Sequence, residues 1–324
     1  MLEVKPDFAQ VRILAEAGRL AEAFDLIRRL ADEGDAEALV TLADFYWRGG
    51  PVDQDPERGR TLFQRASEAG HPMARIFCTN LLANGAFGPR DWSLARARLK
   101  DEARVDPVRA RVFEVLERMD IDGDGEPSVL PESRRLSDGL EIDLFPGLFS
   151  AAECDLLLAT AEPRYMPSTI HDGQGRERPH PLRSSDGAPI HWLIEDPATQ
   201  ALNRRLARAS GTGCDQAEPL LVLRYRPGQE YRRHFDALPG LANQRVRTAL
   251  VYLNDDYAGG ETEFPRLDLR VKGRKGDALV FSNTGPDGAP DPASEHAGTP
   301  VSAGVKYLAS RWIRAGRHVP WAER

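Results

Sequence analysis

The segment Leu220–Asp236, LLVLRYRPGQEYRRHFD, restricts the fold more than any other part of the chain. It reads as a strand of β-favouring residues, a turn at Pro227-Gly228, and a second extended piece ending in His234-Phe235-Asp236. On a strand, residues two apart project to the same face. An imidazole and a carboxylate can therefore converge on one metal ion. A third ligand must come from elsewhere, and His296 in SEHAGTP is the candidate. Two imidazoles and one carboxylate on one face of an octahedron leave three positions open, a donor set suited to Fe(II) that reacts with O2. Ten residues beyond His296 stands Lys306, in GVKYLASRWIR, where a cation can anchor a second acid group on a chelating cosubstrate. The tripeptide His-x-Asp arises often by chance; the weight lies in the whole set in this order.

Charge and composition narrow the setting. A net charge of −7 and a pI near 5.6 argue against a general nucleic-acid binder. Cys78, Cys154 and Cys214 are far apart, so neither a disulfide framework nor a structural zinc site is expected. The opening MLEVKPDFAQ lacks an apolar signal region, and no run approaches the length of a membrane span. The chain reads as soluble and cytoplasmic, with no membrane partner.

Residues 1–107 read as helical hairpins. Asp55-Pro56-Glu57 supplies a cap, a proline at the first helical position and an acid in the first turn. The signals then recur at an offset of 36 residues: Gly34 with Gly70, Gly49 with Gly85, Asp55 with Asp91. The unit DAEALVTLADFYWRGGPVDQDPERGRTLFQRASEAG resembles a Sel1-type repeat, a relative of the tetratricopeptide repeat. Such repeats build interaction surfaces, so a protein partner for residues 1–107 and plain packing are both open.

Residues 108–140 read as a helix, VRARVFEVLERM, followed by an acidic linker. Asp120, Asp122, Asp124 and Gly125 imitate the start of a calcium loop, but Pro131 stands where the closing Glu is required, so calcium is rejected. LEIDLFPGLFSAAECDLLLATAE (140–162) predicts a strand, a Pro-Gly turn and a helix with Ser150 and Glu153 as a capping box. Residues 163–192 lack periodicity and read as loops with short strands. DPATQALNRRLARASG (196–211) predicts an amphipathic helix ending at Gly211. Short strands and Gly/Pro turns then run to Arg314, the pattern of a jelly-roll or double-stranded β-helix.

Residues 218–314 resemble the catalytic domain of the prolyl 4-hydroxylases, which are Fe(II)- and 2-oxoglutarate-dependent dioxygenases. The resemblance rests on RYRPGQEYRRHFD, RVRTALVYLND, GGETEFP, KGDALVF, EHAGTPV and GVKYLASRWIR, in that order. It implies that His234, Asp236 and His296 ligate Fe(II), and that Lys306, Tyr225 and Thr262 bind the distal carboxylate of 2-oxoglutarate. It implies O2 as the oxidant and brings ascorbate as an accessory cofactor. Tyr231 matches a position beside the metal; Arg245 and Trp312 match positions lining the substrate mouth. The run Arg183-Ser184-Ser185-Asp186 falls near the active-site rim of the family. A carboxylate at Asp236 implies hydroxylation; related halogenases carry a small residue there.

The expectation is an α+β multidomain chain: an α-helical repeat domain over 1–107, a helix and acidic linker over 108–140, and a double-stranded β-helix oxygenase domain over 141–324. The expected reaction is hydroxylation of a prolyl residue in a peptide or protein, releasing succinate and CO2. Two alternatives stay open: the same chemistry on a free amino acid or small metabolite, and an inactive oxygenase domain in an interaction scaffold.

Overall fold

The computed structural model describes residues 6–171, 177–179, 182–238 and 240–318. Of the predicted 163–192 loops, residues 172–176 and 180–181 lie outside that set. The chain divides into two compact units: Met1–Ala110 with Trp192–Pro197, and Arg111–His191 with Ala198–Arg324.

The first unit is built of α-helices: α1 (Pro6–Glu16), α2 (Leu20–Asp32), α3 (Ala36–Arg48), α4 (Pro56–Glu68), α5 (Pro72–Asn84) and α6 (Trp92–Glu102). The recurrence in the sequence is a recurrence of caps. Asp55 accepts the Arg58 N–H at the start of α4, and Asp91 accepts the Leu94 N–H at the start of α6. Asp35 caps α3 through the N–H groups of Glu37 and Ala38. Thirty-six residues on, His71 caps α5 with its Nδ1, and its Nε2 lies 3.1 Å from Glu37. Both Gly49 and Gly85 end their helices with positive φ, 78° and 72°. Leu39, Leu42, Leu62, Phe63 and Leu81 fill the core between the helices.

Trp192–Pro197, sequentially distant, belongs to this unit. Leu193 is buried in the helical core, and Trp192 packs edge-on against Phe87 at 5.3 Å. Asn80 and Asn84, one turn apart on α5, donate their amides to the carbonyls of Leu193 and Trp192, each at 2.8 Å. These side chains pin the segment as a strand partner would, by satisfying its backbone.

A further helix, α7 (Pro107–Leu116), leads into the second unit. There β1 (Arg134–Ser137), β2 (Ile142–Phe145) and α8 (Ala151–Ala161) precede β3 (Met166–Pro167), β4 (Thr169–His171), β5 (Glu177–Pro179) and β6 (Asp186–Ile190). After α9 (Pro197–Ala209) come β7 (Leu220–Tyr225), β8 (Tyr231–His234), β9 (Arg245–Tyr252), β10 (Ala258–Gly259) and β11 (Thr262–Phe264). The chain closes with β12 (Leu269–Val271), β13 (Ala278–Ser282), β14 (His296–Gly298), β15 (Val301–Ala303) and β16 (Lys306–Arg314).

An eight-stranded antiparallel sheet runs β1-β2-β13-β9-β16-β7-β6-β3, and a four-stranded sheet runs β12-β11-β14-β8. From β7 onward the chain passes back and forth between the two sheets, with β7, β9, β13 and β16 in the large one and β8, β11, β12 and β14 in the small one, the wiring of a double-stranded β-helix. Ile142, Leu144, Leu223, Leu250, Leu279 and Phe281 of the large sheet share one core with Phe264 and Val271 of the small one. The predicted capping box on α8 is present: Ser150 Oγ accepts from Glu153 N–H, and Glu153 accepts from Ser150 N–H.

Residues 108–140 also depart from their reading. The acidic linker contains β1, an edge strand paired with β2 and held by Arg135 on Asp143 at 2.7 Å. The aspartates of the rejected calcium loop form a hydrogen-bonded turn in which Asp122 accepts the N–H groups of Asp124 and Glu126. Arg204 of α9 binds the Glu126 carboxylate and the Asp124 carbonyl.

Candidate active site

Antiparallel pairing of β8 and β14 sets His234 directly opposite His296. Side chains across such a pair meet on one face, and the two imidazole centroids lie 4.2 Å apart. Asp236, two residues past His234, turns in beneath them: Oδ1 is 3.6 Å from His234 Nε2 and Oδ2 is 3.6 Å from His296 Nε2. One ligand atom from each of the three residues falls within 4.8 Å of the others, the one such cluster among the described residues.

The orientation of each ring is fixed from behind. His234 Nδ1 lies 2.7 Å from the Arg232 carbonyl, and His296 Nδ1 lies 2.9 Å from the Ser294 carbonyl. A carbonyl only accepts, so each Nδ1 carries the proton and each Nε2 presents a lone pair to the centre. Tyr231 stacks on His234 at 3.4 Å, and Phe281 meets His296 edge-on at 4.9 Å. Burial and the neighbouring His234 push His296 down to about 4, against the pull of Asp236, so its imidazole is neutral.

Asp236 is held the same way. Thr248 on β9 donates its hydroxyl to Asp236 Oδ2 at 2.6 Å, and Asn283 donates its amide to Thr248 Oγ1 at 2.9 Å. Burial acts to raise the Asp236 carboxyl, but the facing His296 and His234 rings, whose protonated forms attract it, and the Thr248 hydroxyl outweigh burial and hold it well below the usual carboxylate range. Two imidazoles and one carboxylate, braced and converging, fit a divalent first-row metal.

Two cavities meet at this triad. The smaller, about 30 Å³, is lined by Tyr225, Leu250, Thr262, His296, Lys306 and Leu308. Lys306 starts β16 opposite Tyr225, whose ring lies 5.5 Å from Nζ. Its ammonium is buried and donates to the Gly260 carbonyl at 2.8 Å. Among the described residues no carboxylate lies within ion-pair distance of it. Burial therefore pulls its pKa down to about 8, partly opposed by Glu261. Such a cation calls for an anion from outside the chain. Thr262, also buried, sits 3.1 Å from the Tyr252 hydroxyl.

The larger cavity, about 480 Å³, is walled by Tyr231, His234, Asp236, Arg245 and Trp312 and rimmed by Met166, Leu182, Pro189, Phe235 and Leu238. Arg245 is on this wall, but its guanidinium is engaged: it binds both oxygens of half-buried Glu218 at 2.6 and 2.8 Å and lies 4.1 Å over the Trp312 ring. Arg314 takes the same carboxylate at 2.7 Å. Burial acts to raise Glu218, and the two guanidiniums hold it lowered nonetheless.

Sequence reasoning missed Thr248, Asn283 and Glu218. The signal for Thr248 was available: a hydroxyl at an inward position of RVRTALVY, where valine would otherwise be expected.

The sequence profile of the 2OG-Fe(II) oxygenase superfamily matches residues 220–314. Prolyl 4-hydroxylase 1 of Arabidopsis thaliana is 35% identical over 212 residues, spanning 59% of this chain and 73% of that protein. Probable prolyl 4-hydroxylase 9 of the same plant is 29% identical over 282 residues, 79% of this chain and 98% of its own length. Among solved structures, a viral collagen prolyl hydroxylase from Paramecium Bursaria Chlorella virus-1, in its 2OG complex, is 29% identical with a TM-score of 0.43, covering 56% of this chain and 99% of its own. A Sel1 repeat protein from Oxalobacter formigenes matches 33% of this chain and 85% of its own at 21% identity and a TM-score of 0.31. The chain belongs to the prolyl 4-hydroxylase family and is a 2-oxoglutarate-dependent dioxygenase.

Proposed function

We propose that the chain hydroxylates a prolyl residue in a peptide or protein, with His234, Asp236 and His296 as ligands to Fe(II). The convergence of those three side chains on one point, each braced by its own hydrogen bond, carries the reading. When bound, iron supplies the oxidising chemistry: substrate C–H, 2-oxoglutarate and O2 become substrate C–OH, succinate and CO2.

The side chains do the rest. Lys306 pairs with the distal carboxylate of 2-oxoglutarate in the smaller cavity, and Tyr225 and Thr262 offer it hydroxyl donors. Leu250 and Leu308 line that cavity and keep water from the cosubstrate chain. The Tyr231 and Trp312 rings form the floor and wall of the larger cavity, where a compact pyrrolidine ring can pack against aromatic faces with little loss of freedom. Glu218 fixes the Arg245 guanidinium over the indole, so the wall keeps its shape before substrate arrives. The apolar rim suits a peptide chain passing over the site. The related prolyl 4-hydroxylases support the choice of substrate. The repeat unit, residues 1–107, is a docking element for that protein substrate, and the three free cysteines fit a reducing compartment.

The test is succinate release and a mass gain of one oxygen on prolyl peptides, with Fe(II), 2-oxoglutarate and ascorbate supplied. Asp236→Ala should abolish both. Full turnover by that variant would refute the ligand assignment, and oxygen gain on free amino acids but on no peptide would refute the substrate.

A further inference from the structure

Arg183 stands out on the substrate side of the triad. It precedes β6, is 6% exposed, and lines both cavities. Its Cζ lies 4.9 Å over the Tyr231 ring and 5.8 Å over the Trp312 ring. Nε and Nη2 are both buried and neither has a hydrogen-bond acceptor among the described residues. The Trp312 Nε1–H, in the same cleft, is buried and lacks an acceptor too.

Three buried donors in one place are costly unless an acceptor arrives. The protein's own carboxylates do not serve. Of the two acids lining this cleft, Asp236 belongs to the triad and Glu218 is already shared by Arg245 and Arg314. Asp186, three residues past Arg183, is taken by Arg224 and Arg226. Guanidinium charge therefore exceeds carboxylate charge on the substrate side. A neutral peptide carbonyl would satisfy one donor and leave the charge unmatched. A carboxylate satisfies two N–H groups at once and cancels the charge, the fork geometry that suits arginine best.

We infer that Arg183 and the Trp312 indole N–H form a subsite for a carboxylate on the substrate, so that the enzyme selects prolyl groups carrying an acid beside the ring. This rests on the hydroxylase reading above and narrows its substrate class. The acid can come from the chain terminus of a peptide ending in proline or from an adjoining Asp or Glu; free proline presents the same group, and turnover of it alone would uphold the subsite while refuting the peptide substrate proposed above. The rim, with Met166 63% and Phe235 39% exposed, gives the flanking residues an apolar surface.

The experiment compares matched substrates on the wild-type chain: peptides ending in proline as free acid and as amide, peptides with Glu or Gln beside an internal proline, and free proline with prolinamide. Binding is followed by tryptophan fluorescence with Mn(II) and 2-oxoglutarate under argon, and turnover by succinate release in air with Fe(II). The expected result is that at least one acid form exceeds its amide by about thirtyfold or more, the size seen when one partner of a desolvated charge pair is lost. Arg183→Gln should bring that ratio to near unity. Acid-selective binding without oxygen transfer to any proline would uphold the subsite while defeating the hydroxylase reading. Equal behaviour of every acid and amide pair, or a ratio unchanged in Arg183→Gln, would overturn the inference; the wild-type comparison decides even if the variant misfolds.

Discussion

Lys306 puts a charge where the described residues offer it a carbonyl and aromatic faces but no carboxylate at ion-pair distance. Its pKa of about 8 in the free protein, against an ordinary 10.5, has a signed consequence. Below pH 8 the ammonium is present and must be kept in a dry site; above it the amine is neutral. A 2-oxoglutarate carboxylate restores the charged form, so binding at pH 9 should take up a proton. Affinity should fall by about tenfold per pH unit above 8 until the pKa of the complex is reached. Calorimetry in buffers of different ionisation enthalpy, with Mn(II) under argon, measures both. Lys306→Arg, which stays charged, should flatten the dependence. Thr248 affords a second residue-level forecast. Thr248→Val keeps the shape but removes the hydroxyl bound to Asp236 and leaves the Asn283 amide without its acceptor. Metal affinity in a chelator competition should drop by about 10- to 100-fold, and Thr248→Ser should recover most of it.

Among elements, the pairing of β8 with β14 matters most for the site, because register alone brings His234 opposite His296. That much was legible in the sequence: His-x-Asp on an extended run, a distant His and a Lys ten further on are each local signals. The caps of the helical repeats were legible too, since Asp55 and Asp91 act on residues three away. What escaped was non-local. Glu218 serves Arg245 and Arg314, 27 and 96 positions further along, and nothing in the Glu218 neighbourhood announces it. The edge strand β1 hid in an acidic stretch because its partner β2, not its own propensity, makes it a strand. Trp192–Pro197 hid in a loop-like region because Asn80 and Asn84 of α5 supply its hydrogen bonds. Leu193→Ala in this segment should cost about 2–5 kcal/mol, as buried Leu truncations do. Urea denaturation followed by circular dichroism of the whole chain tests it, and a loss below about 0.5 kcal/mol, a surface-like value, would deny the segment its place in the helical core.

For the molecule as a whole, the site links metal to stability. The triad is preformed but binds metal only when folded, so Fe(II) or Mn(II) at a hundredfold excess over its Kd should add about 2.7 kcal/mol. With a chain of this size that is a rise of about 4 °C in melting temperature. Differential scanning fluorimetry with and without chelator reads it, and Asp236→Ala should show no shift. No described helix is long and apolar enough to cross a membrane.

The membership of Trp192–Pro197 in the helical unit bears on how the chain can be dissected. A fragment trimmed to begin at Arg111 retains Trp192 and Leu193 and discards the α5 amides and the Phe87 ring that enclose them. Left bare, that six-residue strap is an adhesive tag, and preparations of the isolated oxygenase should clump on sizing columns. Genetic separation of the two halves therefore requires recoding the strap with polar residues, or supplying the helices in trans.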